Sequence, residues 1–140
     1  MIGKSCHLTN VAIIDRIYEA FENRDNSTFF SLLSPEIHVT QCPDGPWGGV
    51  FQGFEEAKIF FGKVNTYLYD YVSIDQIVDG GDRIAVIGRG HGTIRDTGGP
   101  FDVPIMHLWA FKDQLAVRLE IVLDVPTIQA ALQARTQVAE

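Results

Sequence analysis

The sequence predicts an α+β domain in which helices lie on one face of a curved antiparallel sheet. Three observations carry that prediction. Apolar residues recur at helical spacing in the first half of the chain, and the second half alternates in strand-length runs. The runs are joined by turns too short to link anything but antiparallel neighbours, and helices followed by a strand meander mark the α+β class. With 140 residues the chain is one domain's worth, so residues 1–140 are read as a single domain with its core at about 8–133.

Composition narrows the function classes. Hydrophobic residues at 46% and charged residues at 21% belong to a folded globular chain rather than a disordered one. Eighteen acidic residues against 11 basic ones leave a net charge of -7, and no cluster of Lys and Arg stands ready to neutralise phosphates. Nucleic acid is therefore not an expected partner. No run is long enough to span a bilayer, and residues 1–7 lack the apolar stretch of a signal peptide, so a cytoplasmic protein without membrane contact is expected. Cys6 and Cys42 lie far apart, with no Cys-x-x-Cys and no His at ligand spacing. They read as reduced buried thiols, and no metal is implied.

The elements follow in order. Val11, Ile14, Ile17, Tyr18 and Phe21 share one face of a helix that Thr9 or Asn10 caps. Ser27 to Leu33 reads as a second short helix ending near Ser34, because Pro35 disfavours helical geometry in the residue before it. Ile37 to Gln41 is a strand. Cys42 to Gly49, with two prolines and three glycines, is a loop that carries Trp47. Gly53 to Val64 is a third helix with Glu55 and Glu56 in its first turn, where the dipole favours negative charge. Four strands come next, Tyr71 to Val78, Arg83 to Arg95, Phe101 to Phe111 and Leu115 to Asp124, separated by turns at residues 79–82, 96–99 and 112–114. Thr127 to Arg135 closes the chain as an Ala-rich helix with Pro126 near its first position.

The last hairpin sorts side chains into two faces. A two-residue loop at Asp113 and Gln114 sets Leu108 opposite Leu119, His107 opposite Glu120 and Trp109 opposite Arg118. Met106, Leu108, Ala110, Val117, Leu119, Ile121 and Leu123 then form one face. Ile105, His107, Trp109, Phe111, Arg118, Glu120, Val122 and Asp124 form the other. Neither is the polar face of a solvated sheet, so both need cover, and a homodimer through the sheet is the expected assembly. Gly88, Gly90 and Gly92 alternate in the second strand of the meander, which leaves the direction of Arg89 and His91 open.

Three stretches carry a resemblance. They are Ile17-Tyr18-Glu19-Ala20-Phe21 followed by Asn23-Arg24-Asp25; Phe51-Gln52-Gly53 leading into a helix with Phe60-Phe61; and His107 to Asp113 followed by Asp124. Over about residues 8–133 the chain resembles the nuclear transport factor 2-like superfamily, and within it the SnoaL-like branch. The resemblance implies a cone of helices against a curved sheet that encloses a pocket. The polyketide cyclases of that branch use an Asp on the last strand as acid/base for an intramolecular aldol closure, which implies Asp124, with His107 at the place of a pocket histidine. The related ketosteroid isomerases use an Asp on an early strand and a Tyr on the first helix. Gln41 and Ile17 hold those places here, a departure from the isomerase pattern.

Each candidate has a second, structural reading. Asp124 is the catalytic base if burial raises its pKa, or a carboxylate accepting N–H bonds from the last helix. His107 donates to a developing enolate oxygen, or pairs across the strands with Glu120. Trp47 is a lid over the pocket or an aromatic plug, and Trp109 is a substrate clamp or a cation–π partner of Arg118. Tyr18 is a pocket hydroxyl or a core-edge residue. Glu120 and Val122 complete the expected pocket wall. No Gly-x-Ser-x-Gly and no phosphate-cradling glycine loop occurs. Epoxide hydrolysis would need a second acid beside Asp124, and none is in place. The expected function is a pocket for a small, mostly apolar carbonyl compound, with cofactor-free isomerase or cyclase chemistry by proton transfer. The alternative is a ligand-binding or dimerisation module of the same fold without chemistry.

Overall fold

A computed structural model describes residues 8–45 and 47–134; Cys6 and Arg135 lie outside them. Helix α1 (Asn10–Glu22) starts where the Thr9 side chain accepts from the Ala12 N–H at 3.1 Å. It buries Ile13, Ile14, Ile17 and Ala20 on one face. Full burial of one such Ile contributes about 2 kcal/mol. Helix α2 (Asn26–Ser31) is capped by Asp25, which accepts from the Thr28 N–H. It stops before the expected Ser34, and β1 (Leu33–Gln41) begins at once. Leu33 is needed inside the sheet, and Pro35, which has no N–H to donate, falls where the β1 register is irregular.

Strand β2 (Gly49–Gln52), which lies between the expected loop and the expected third helix and was not foreseen, pairs antiparallel with β1. Helix α3 (Gly53–Tyr67) follows, with the Glu56 side chain accepting from the Gln52 N–H at 2.9 Å. The meander then runs β3 (Leu68–Asp79), β4 (Arg83–Ile94), β5 (Pro100–Lys112) and β6 (Leu115–Leu123), and α4 (Val125–Gln133) closes the described chain. The six strands stand in the order β2-β1-β6-β5-β4-β3. Every pair is antiparallel except β1 with β6, which is parallel. Helix residues Ile13, Ile14, Ile17 and Phe60 share one core with Val39, Val86, Trp109 and Leu119 of the sheet's inner face. This is the α+β architecture expected, with helices on one side of the sheet.

One backbone detail corrects the expected faces. Asp113 and Gln114 do form a tight turn, with φ of 52° and 67°, and Phe111 pairs with Ala116 as the two-residue loop requires. The register then shifts, because Ala110 pairs with Arg118 and leaves Val117 as the extra residue of a β-bulge. Beyond it Leu108 faces Glu120, Trp109 faces Leu119 and His107 faces Ile121. A one-residue slip turns over every later side chain of the strand. Leu119, Ile121 and Leu123 thus join His107 and Trp109 inside, while Arg118, Glu120 and Val122 join Met106 and Leu108 outside. Neither the His107–Glu120 pair nor the Trp109–Arg118 stack forms.

A second bulge in β3, at Asp75, lies opposite Gly88 and Ile87. Gly90 faces inward, so Arg89 and His91 point outward, where Arg89 pairs with Asp102 and His91 bonds to Ser73. Cys42 is exposed rather than buried. Among the described residues no helix is long and apolar enough to cross a membrane.

The glycines of β4 separate two roles. A Cβ at Gly88 would collide with the Ser73 carbonyl oxygen, whereas one at Gly90 would rest 3.4 Å from Ile105 Cγ2, an ordinary contact. Gly88→Ala is expected to lower stability by at least about 2 kcal/mol, and Gly90→Ala to stay within about 1 kcal/mol, in urea denaturation. Equal effects would mean that close strand approach does not set the bend.

Candidate functional site

Between the helices and the inner sheet face lies a cavity of about 100 Å³. Its walls are mainly apolar, with Ile17, Phe60, Val103, Ile105 and Leu119 among them. It is smaller than the ~150 Å³ engineered cavity that admits benzene, so an alkyl group sits within it, and a ring or a longer ligand must extend through the mouth. Besides Trp47, five side chains that carry polar atoms line this wall: Tyr18, Gln41, Asp70, His107 and Trp109.

Three of the five form a directed chain. Tyr18 on α1 lies six residues before the positive-φ Arg24 that ends the α1 turn, and His107 and Trp109 alternate inward on β5. The Trp109 indole N–H donates to the Tyr18 oxygen at 3.0 Å, and Tyr18 lies 2.6 Å from His107 Nδ1. The indole N–H donates, and with the phenol's own proton assigned to Nδ1 the neutral imidazole carries its proton on Nε2. Burial lowers the His107 pKa from 6.5 to about 4, which keeps the ring neutral at pH 7. Burial also pushes the Tyr18 phenol above its usual range, offset in part by the Trp109 N–H, so its proton stays in place. The chain ends in a neutral donor, His107 Nε2–H, of the kind that supports a developing oxyanion.

Asp70 is the acid at this cavity. It sits on β3 between Leu68 and Val72, which share its inward parity. Burial raises its pKa, against the pull of Arg24, Arg95 and His91, which favour the charged form. Gln41 ends β1 on the same parity as buried Ile37 and Val39. It is 5% exposed, and its Nε2 has no hydrogen-bond partner among the described residues. An unmet buried donor is costly unless a ligand acceptor meets it.

Of the expected residues, Tyr18, Trp47, His107 and Trp109 line the cavity. Trp47 is buried, 4% exposed, and stacked on Tyr67 at 5.8 Å between ring centres, as a plug in the wall. Asp124, Glu120 and Val122 do not reach it. Asp124 is exposed and accepts from the Thr127 N–H, capping α4. Glu120 and Val122 face outward beyond the bulge, with Val122 43% exposed. Asp70 went unseen because β3 starts at Leu68, three residues before the expected Tyr71. Its signal is a lone carboxylate inside the run Tyr67-Leu68-Tyr69-Asp70-Tyr71.

A family model described as a SnoaL-like domain matches residues 14–119. No curated relative matches the chain. An NTF2-like protein of unknown function from Burkholderia pseudomallei is 25% identical, with a TM-score of 0.84 over 91% of this chain and 100% of that one. An NTF2-like protein from Burkholderia thailandensis is 24% identical, with a TM-score of 0.83 over 91% and 99%. TerC, co-crystallised with polyporic acid, is 23% identical, with a TM-score of 0.80 over 89% and 98%. The last two show a shared fold.

The depressed His107 pKa makes stability depend on pH. The unfolded chain takes up a proton below 6.5, while the folded form resists it down to about 4. Stability is therefore full above pH 6.5 and falls as pH drops toward 4, by up to about 3 kcal/mol. His107→Gln should flatten the wild-type slope across that window in urea titrations; an unchanged slope would place the titrating group elsewhere.

Proposed function

This chain belongs to the SnoaL-like domain family, and on that premise we propose that it holds a small, mostly apolar carbonyl compound and moves a proton on it without a cofactor, as an isomerase or cyclase. The observation behind the reading is one apolar cavity that carries a buried carboxylate and, elsewhere on its wall, a chain of neutral hydrogen-bond donors. Asp70, not Asp124, acts as base. A C–H bond next to the carbonyl breaks, the proton passes to the Asp70 carboxylate, and the electron pair moves onto the carbonyl oxygen. The His107 Nε2–H meets that oxygen, and Asp70 returns the proton to another carbon or to the product of ring closure. A carboxyl with a raised pKa is a stronger base than a solvated one, and the dry wall strengthens the donor. TerC, co-crystallised with polyporic acid, supports a ligand-binding use of this fold.

A second reading, binding without chemistry, is favoured by the Tyr18 hydroxyl, which is already bonded on both sides. Deuterium exchange into 4-phenylbutan-2-one in D2O separates the two. Catalysis predicts faster exchange at the α-carbons, slowed about 100-fold or more by Asp70→Asn and left within about twofold by Asp124→Asn. Exchange at the buffer rate with the ketone bound would leave only the binding module.

We also propose that the outer sheet face, with Met106, Leu108 and Val122, pairs two copies of the chain. Light scattering should give twice the 15.6 kDa chain mass, and Val122→Lys should shift it to the monomer. A monomeric wild type would remove this assembly.

A further inference from the structure

Next to the cavity, and sharing Phe21, Phe29, Phe61, Val64 and Asp70 with it, runs a wider groove of about 680 Å³. Its charged wall is unlike the rest of this acidic chain: Arg24, Lys58 and Arg95 stand against a single carboxyl, Asp70. None of the three cations is in an ion pair within 4 Å among the described residues. Their hydrogen bonds and ring contacts fix them nonetheless. Arg24 donates to the Asp70 carbonyl and lies over the rings of Phe21, Tyr69 and Tyr71, the last at 4.8 Å. Arg95 donates from Nε to the Leu68 carbonyl at 3.2 Å and to Asn65 Oδ1 at 3.0 Å, and lies 4.7 Å over Tyr69. Lys58 lies over Phe30 and Phe54. Each guanidinium has five N–H groups, so both keep donors that no acceptor among the described residues takes.

The backbone gives a separate indication. Arg24 closes α1 in the left-handed region, with φ of 58°, where glycine would stand with less strain. A strained residue that keeps its side chain over three aromatic rings points to a use for that side chain.

We propose that this groove binds the carboxylate of an amphipathic ligand whose apolar end enters the cavity, a substrate class that rests on the carbonyl-pocket reading above. Two guanidiniums, both over the Tyr69 ring, offer the planar forks that suit the two oxygens of a carboxylate, and the aromatic rings against them limit hydration of the pair. Asp70, at the junction, then stands beside the carbons that link the two ends.

The test compares 4-phenylbutanoate with its neutral amide, 4-phenylbutanamide, and with phenyl phosphate, by calorimetry on the whole chain. The proposal expects the carboxylate to bind about tenfold tighter than the amide. That ratio should weaken with added salt and fall to near one in the double variant Arg24→Gln/Arg95→Gln, while Lys112→Gln at the far hairpin leaves it unchanged. Because the result is a ratio, a general loss of fold does not imitate it. Equal binding of acid and amide by the wild type would overturn the groove while leaving the apolar pocket standing. Phenyl phosphate binding more tightly than the carboxylate would overturn the assignment of ligand class. Failure of all three to bind would overturn the groove and the carbonyl pocket together.

Discussion

A phenol, an imidazole and an indole share one apolar wall because each meets a hydrogen-bonding need of the next. Left unmatched, each buried polar atom would carry a desolvation penalty of about 1–3 kcal/mol. Joined, Tyr18, His107 and Trp109 fasten α1 to β5 across 89 and 91 residues of sequence. The hollow depends on this fastening. Ile17 and Phe21 reach the cavity from the turns beside Tyr18, and Val103 and Ile105 reach it from the strand that carries His107. The same bonds tie the packing of the helix on the sheet to the orientation of the imidazole that faces the cavity.

That arrangement was partly legible in the residues. Ile14, Ile17, Tyr18 and Phe21 announce the helix face, and the alternation of Ile105, His107 and Trp109 announces the inner face of β5. Nothing in Ala116-Val117-Arg118 announces that Val117 will lack a partner. A bulge is a backbone choice that both parities of β6 permit, since apolar residues fall on each, and it sent Glu120 and Val122 outside. Asp124 was visible as a cap through Pro126 and Thr127, and capping is its role in the structure. Gln41 was visible as the third step of Ile37, Val39 and Gln41. The meaning of that step appears only when the fold closes around an amide nitrogen that meets no acceptor among the described residues.

The polarity of the site is divided in space. Neutral donors belong to α1 and β5, the carboxyl belongs to β3 at the edge of the sheet, and the cations gather outside it on the α1 end, α3 and the β4–β5 turn. A ligand lying along this gradient would pass from dry hydrocarbon to a basic, aromatic surface without leaving the protein. Asp70 is the residue common to both environments. Its raised pKa reflects burial more than any one neighbour, so its protonation state responds to whatever fills either space.

The parallel seam between β1 and β6 sets the order in which the molecule can be assembled. Strands β3 to β6 are joined by short turns and can zip in succession, and β1 with β2 is equally local. His38, however, meets Arg118 only after nearly the whole chain is available. Such late, long-range pairing makes loop closure the slow event. During synthesis the β6-facing edge of β1 therefore waits unpaired until the last hairpin emerges.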